Sequence, residues 1–266
     1  MKMIYTLLVS VLLVLSYAES ALPADSYLEF MQQFYHFDDQ QFEQVTCQVV
    51  VPEFATLRDQ MKLLENKVAV KEDFDQFRLT YTKGKGLSFN LPSLEVSLLS
   101  EEGIRDRSKV EAGMRMMKNG AENVVMGVVQ TLEGLFKEYE RQDRNGIKNV
   151  KVAKNGSGTQ ISYEKEGAKI TSICTDRHCK TSVVQPLAQI DSDDEYEKVD
   201  NKLVVKSSTS SIKQSQSTIH AQVTIEYQKV NGVLFPSTIT ANSEMVLPNM
   251  KQEGRLSILL KECRSN

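Results

Sequence analysis

Two hydrophobic periods along the 266-residue chain predict an α+β fold, an antiparallel β-sheet with helices that include one long one. Between residues 106 and 142, Val110, Met114, Met117, Ala121, Val124, Val128, Leu132, Leu135 and Tyr139 recur every three or four residues, which gathers them on one helical face. From residue 148 onward the period is two, as in a half-buried strand. The alternation runs through Ile161 and Tyr163, Ile170 and Ser172, Leu203 and Val205, then Ile219, Ala221, Val223, Ile225 and Tyr227. Polar residues stand between them, so this sheet should have one wet face.

Composition narrows the classes of function. With 41% hydrophobic and 25% charged residues the chain has the balance of a globular protein. A net charge of -3 lacks the basic excess that nucleic-acid binding needs, so no nucleic-acid partner is expected. Residues 1–24 read as a secretory signal: Lys2, an apolar stretch from Ile4 to Tyr17, and small residues at Ser16 and Ala18, with Ala24 as a second cleavage position. The apolar stretch is shorter than a membrane-spanning helix requires, so an exported protein, periplasmic or secreted, with no transmembrane anchor after signal removal is expected. Residues 25–266 then form one α+β domain, helix-rich over 25–142 and β-rich over 148–263.

Within the helix-rich part, Ser26 and Glu29 fit a capping box ahead of Leu28, Met31, Phe34 and Tyr35, which predicts a short helix ending at His36. Val45, Cys47, Val49 and Val51 alternate up to Pro52 as a strand. Phe54, Leu57, Met61, Leu64 and Val68 predict a second helix. Phe77, Leu79 and Tyr81, the turn Lys83 to Gly86, then Leu87, Phe89 and Leu91 predict a hairpin that Leu94, Val96 and Leu98 extend past Pro92.

The long helix carries Gly113, Gly120, Gly127 and Gly134 at intervals of seven, each costing about 1 kcal/mol against alanine. Close approach of another element along that groove is the expected compensation, and a break near Asn119 and Gly120 is expected from its length. Met114, Met116, Met117 and Met126 are unbranched and adaptable, so they suit either core filling or a flexible apolar ligand.

In the β-rich part, Asn231 and Gly232 mark a tight hairpin, followed by the alternating residues Phe235, Ser237, Ile239 and Ala241. The last strand runs from Leu256 to about Cys263. Asp191 to Glu197 is acidic and Ser207 to Thr218 is rich in Ser, Gln and Lys, and both read as solvated loops interrupting the sheet.

Export suits an even number of cysteines. Cys174 and Cys179 flank four residues between strand-like segments and should face each other across a hairpin, within disulfide reach. That leaves Cys47 to pair with Cys263 and tie the first strand to the last. A metal site at Cys174, His178 and Cys179 lacks a second ligand pair at zinc spacing, so no metal is expected. His36, His178 and His220 lie in no catalytic motif, and no nucleophile elbow, His-Glu-x-x-His, P-loop or dinucleotide turn occurs. The chain reads as a non-enzyme without a cofactor.

The stretch from Thr224 to Cys263 contains Ile-Glu-Tyr-Gln-Lys-Val-Asn-Gly-Val-Leu-Phe-Pro-Ser-Thr-Ile-Thr and a final strand ending Leu-Leu-Lys-Glu-Cys. It resembles the last strands of periplasmic outer-membrane lipoprotein carriers and related half-barrel proteins, where a strand, an xxGxxxP turn and a return strand recur. The resemblance covers about 40 residues. It implies a strongly curved sheet whose apolar side is covered by helices and holds acyl chains. The two helices and strand that precede the first hairpin, and the long helix, depart from that pattern. The expected function is an exported carrier or binding protein for a lipid or lipidated partner in the cell envelope. Met114, Met117, Val124 and Val128 on the helix, with Val223 and Ile225 on the sheet, are the candidate ligand-binding residues. The alternative is a non-enzymatic interaction or structural protein with a filled core.

Overall fold

The structure, a computed structural model, describes residues 33–37, 40–63, 67–99, 107–139, 147–156, 158–214 and 216–266. The signal segment and most of the first predicted helix lie outside these residues. In chain order the elements are β1 (Gln44–Val50), α1 (Glu53–Lys62), β2 (Val68–Glu72), a 3-10 turn (Phe74–Gln76), β3 (Arg78–Thr82), β4 (Gly86–Asn90), β5 (Leu94–Leu98) and α2 (Arg107–Tyr139). Nine strands follow: β6 (Ile147–Asn155), β7 (Gly158–Lys165), β8 (Ala168–Cys174), β9 (His178–Gln185), β10 (Ala188–Val199), β11 (Lys202–Gln214), β12 (Ser217–Val230), β13 (Val233–Leu247) and β14 (Met250–Ser265).

Twelve of the strands form one open antiparallel sheet in the order β4-β3-β1-β14-β13-β12-β11-β10-β9-β8-β7-β6. From β6 to β14 each strand pairs with its sequence neighbour, and β1 then brings the first part of the chain beside the last strand. The turn between β12 and β13 has positive φ at both Asn231 (49°) and Gly232 (87°), the combination that matches the twist of the flanking strands. The outer strand β6 carries exposed Lys148, Lys151 and Lys154, charges that discourage another strand from adding to that edge.

Several expectations are corrected. Phe34 and Tyr35 do not end a helix: Phe34 makes a parallel bridge to Leu203, and His36 beside them is buried. The second helix stops at Lys62, and Val68 opens β2. Leu94 to Leu98 does not prolong the β3–β4 hairpin; it pairs with β2 in a separate two-stranded ribbon. The long helix is continuous through Asn119 and Gly120. Asp191 to Glu197 and Ser207 to Gln214 are not loops but lie within β10 and β11, paired over eleven register positions. Their inward positions are small or hydrogen-bonded polar side chains, so alternation was present without the apolar residues that usually reveal it. Leu203 and Val205 do not alternate alone: Val204 and Val205 are both buried, next to a bulge between Glu195 and Tyr196.

The buried face reads as rows of directly opposed residues. One row is apolar: Tyr163, Ile170, Val183, Ile190, Ile212, Ile219 and Met245. These form a cluster separate from the main core. The next row is small: Ser172, Thr181, Ser192, Ser210, Ala221 and Ser243. Ser172 and Thr181 share a buried hydrogen bond of 2.9 Å. The third row runs Cys174, Cys179, Asp194, Ser208, Val223, Ala241. The main core begins there and unites the α1 and α2 faces with β1, β3 and β11 to β14.

At its centre is Phe37, 1% exposed, stacked on Phe136 at 5.2 Å and near Tyr81 (4.9 Å) and Phe235 (5.5 Å). Aromatic contacts of this kind add about 0.5–1.5 kcal/mol each beyond area burial. Residues 33–37 thus form a strap into the core rather than a surface helix.

The four cysteines form two disulfides, Cys47–Cys263 and Cys174–Cys179. The first joins β1 to β14 across 216 residues and the second joins an opposed pair only five apart. In the loop-entropy account, replacing Cys47 and Cys263 with Ala should destabilise by about 5 kcal/mol, and replacing Cys174 and Cys179 by about 2. Urea unfolding of both double variants measures the difference.

The glycine register on α2 does not bring a second backbone to Gly120. A Cβ there would meet only the Leu57 side chain of α1, at 3.8 Å, which is ordinary contact. Gly120→Ala should therefore stabilise by up to about 1 kcal/mol through helix propensity. Gly158→Ala should do the reverse, because its Cβ would lie 2.7 Å from the Cys174 carbonyl oxygen. Thermal melts of the two variants should move in opposite directions.

Candidate functional site

An apolar groove of about 320 Å³ opens between the middle of α2 and the chain that enters β5. Its helix side is Ala121 and Val125, both buried, with Met126 half-exposed and Lys118 and Glu122 on the rim. Its other side is Phe74, Leu91 and Leu94, and Leu91 is 49% exposed. Pro92 breaks the strand pattern after β4, so the chain turns away from the large sheet before β5 pairs with β2.

The floor is held firmly. Phe74 is buried and stacked on Phe54 of α1, with ring centroids 4.1 Å apart. Arg58 lies over the same ring at 5.6 Å and donates to both carboxylate oxygens of Glu72, at 2.8 and 3.2 Å. Glu72 in turn accepts the Phe74 backbone N–H at 2.8 Å. The Ser93 N–H donates to Asp73 and the Asp73 N–H to the Ser93 carbonyl, which clamps the loop opposite the helix. The Glu72 pair raises the pKa of the already basic Arg58 further, so the guanidinium stays charged.

None of the six expected ligand residues lines this groove. Met117, Val128, Val223 and Ile225 are 0–7% exposed and belong to the main core, and Val124 packs against it from a half-buried position. Met114 is half-buried one turn before Met117. Met116 and Met126 are exposed, at 64% and 47%. The elements on which α2 packs most extensively are β5, α1, β4 and β14. Sequence reasoning placed the helix face correctly in the apolar interior but missed Phe74, Leu91 and Leu94. The only local signal was Leu91 and Leu94 on either side of Pro92, a pair that fits no single strand; nothing along the chain links Phe74 to them.

Two larger depressions, about 660 and 520 Å³, lie over β8 to β14 and share Thr209, Ser210 and His220. Among their lining charges, Lys180 pairs with Asp193 at 3.3 Å, and Glu244 and Glu253 pair with Lys251 at 3.0 and 2.9 Å. Among the described residues no three His, Cys, Asp or Glu side chains gather as a metal site, and no helix is long and apolar enough to cross a membrane. No family model, curated protein or solved structure matches the chain.

Among the described residues the one strongly displaced acid is Asp194 in the third row. It is 3% exposed and accepts a 2.6 Å hydrogen bond from Ser208 Oγ. Burial lifts its pKa to about 7, against the partial relief that Ser208 supplies. Because the folded value exceeds the unfolded one, this carboxyl leaves stability intact below about pH 4 and withdraws it progressively up to about pH 7. Three pKa units correspond to about 4 kcal/mol, an upper bound. Asp194→Asn should thus raise stability at pH 8 by a few kcal/mol and flatten the dependence between pH 4 and 7, which chemical denaturation across pH will show.

Proposed function

We propose that the protein is an exported, non-enzymatic binding protein or carrier that takes up an acyl chain, free in a lipid or attached to a lipidated partner. The observation that carries this reading is the apolar groove backed by the α2 core face. A flexible chain entering between Met126 and Leu91 would lie along Ala121, Val125, Phe74 and Leu94, one helical turn from Met117 and Val124. Lys118 on the rim offers a cation to a carboxylate or phosphate at the chain's polar end. The resemblance of the last strands to half-barrel carriers supports the same reading, with the large sheet curving around the helix. Two disulfides are compatible with an exported protein.

Nothing in this mechanism is covalent. Burial of each CH₂ contributes about 0.8 kcal/mol, so affinity should rise about fourfold per added carbon until the groove is full. The alternative, an interaction protein with a filled core, is favoured by one observation, the near-complete burial of Met117, Val128, Val223 and Ile225.

Titration of delipidated mature protein with fluorescent fatty acids of eight to sixteen carbons separates the two. The carrier reading expects saturable binding that strengthens with length and then plateaus. Met126→Glu and Leu91→Glu, both at exposed positions, should weaken it at least tenfold with little change in melting temperature. Absence of saturable binding in folded, lipid-free protein would select the interaction reading.

A further inference from the structure

The strap of residues 33–37 is tied to the sheet at β11 and β13, and one set of these ties lies beside an irregularity. The Leu203 N–H donates to the Gln33 carbonyl at 2.7 Å, and the Tyr35 N–H donates to the Leu203 carbonyl at 3.0 Å. Phe34 meets Tyr196 edge-on at 5.1 Å. Farther along, the Tyr35 hydroxyl donates to the Leu234 carbonyl at 2.9 Å and accepts the Leu234 N–H at 3.1 Å. Tyr196 and Val205 are opposed on one side of the β10–β11 bulge, and Glu195 and Ser207 on the other, with Lys206 the extra residue. Asp194 and Ser208 form the next opposed pair, facing inward.

The surroundings of Asp194 hold no compensating cation. From β9 its opposed neighbour is the disulfide-bonded Cys179, from β11 Ser208, and beyond that Val223 of β12. The charges of these strands are on the opposite, wet face, where Asp193 pairs with Lys180 and faces His178 at 3.9 Å, and Glu195 pairs with Lys206 at 2.9 Å. Among the described residues no cation pairs with Asp194, and the charge of Asp193 opposes its ionisation. The strap brings two further titratable groups, Tyr35 and His36, both buried.

We propose that Asp194 is a proton-operated latch: with a neutral carboxyl, the bulged ends of β10 and β11 hold the strap on the sheet, and loss of the proton to solvent opens that end and releases the strap. An ionised carboxylate is poorly solvated in a row between a disulfide and Val223, and the nearest route to water is separation of the strands at the bulge, where the ladder is already interrupted. Opening is favoured progressively from about pH 4 to about pH 7, the window between the unfolded value and the folded one. Release of the strap would lift Phe37 from Phe136 and Phe235 and uncover apolar surface toward the C-terminal end of α2, in the core that Ala121 and Val125 of the groove also join. That consequence rests on the acyl-binding reading; the latch itself does not.

Hydrogen-exchange mass spectrometry of the mature, disulfide-bonded protein without lipid tests the latch. After correction for intrinsic exchange rates, the opening constants of peptides covering residues 33–37 and 194–208 should rise on the order of 50-fold from pH 5 to pH 7.5. Asp194→Asn should hold both peptides closed at both pH values, whereas Asp193→Asn, on the wet face, should retain the rise. Ser208→Ala should move the midpoint of ionisation upward, since it removes the bond that favours the charged form. No rise in the natural protein, or an equal rise in Asp194→Asn, would overturn the proposal. Because no lipid is present, either result leaves the acyl-binding test to be judged separately.

Discussion

The pairing of β1 with β14, sealed by Cys47–Cys263, is the constraint on which the rest of the structure depends. The strands from β6 to β14 form a meander in which each pairs with the next, and such a sheet has no intrinsic reason to include the first part of the chain. β1 supplies that reason. It pairs with β14 on one side and β3 on the other, and β4 then becomes the far edge. The segment that must span from β4 back to β6 at the opposite edge contains the β2–β5 ribbon's second strand and α2. A 33-residue helix with a continuous apolar face satisfies both demands, since it covers distance and buries Val128, Leu132 and Leu135 in the same core as β1, β3 and β14.

Around that constraint the interior divides in two. One apolar cluster, running from Tyr163 to Met245, belongs to the meander, and the larger one belongs to the helices, the strap and the strands near β1. Between them lie rows of Ser, Thr and Cys with the single acid Asp194. Small polar side chains let neighbouring strands approach and hydrogen-bond locally, as Ser172 does with Thr181, but they contribute little transfer energy. The seam between the clusters is therefore weaker than either cluster. Among the described residues it also holds the one strongly perturbed carboxyl, Asp194.

Much of this fold is legible along the chain. The alternation of β12 and β13, the Asn231–Gly232 turn and the three-four spacing of α2 are local consequences of backbone geometry, and the structure shows each of them. The acidic run Asp191 to Glu197 misled because polarity was taken for solvation. Its inward residues, Ser192 and Asp194, are buried by their cross-strand neighbours and not by their own hydrophobicity. The same holds for β11, whose Ser208 and Ser210 are buried while their composition suggests a linker. In the groove, Phe74, Leu91 and Leu94 come from a turn, a loop and a strand. No periodicity connects three such elements.

By itself the sequence determined the elements whose energetics are local: the long amphipathic helix, the hairpin turns, and which cysteines could face one another across a short strand pair. Tertiary structure alone decided that β5 would leave the large sheet for β2, that residues 33–37 would fill the core as a strap, and that an aspartate would be buried beside a disulfide. Helix and strand patterns record the period of one segment against a generic apolar surface. Burial of a polar side chain, or the meeting of three apolar ones from separate elements, depends on which segments close the space around it, and that is set by long-range pairing such as that of Val49 with Leu260.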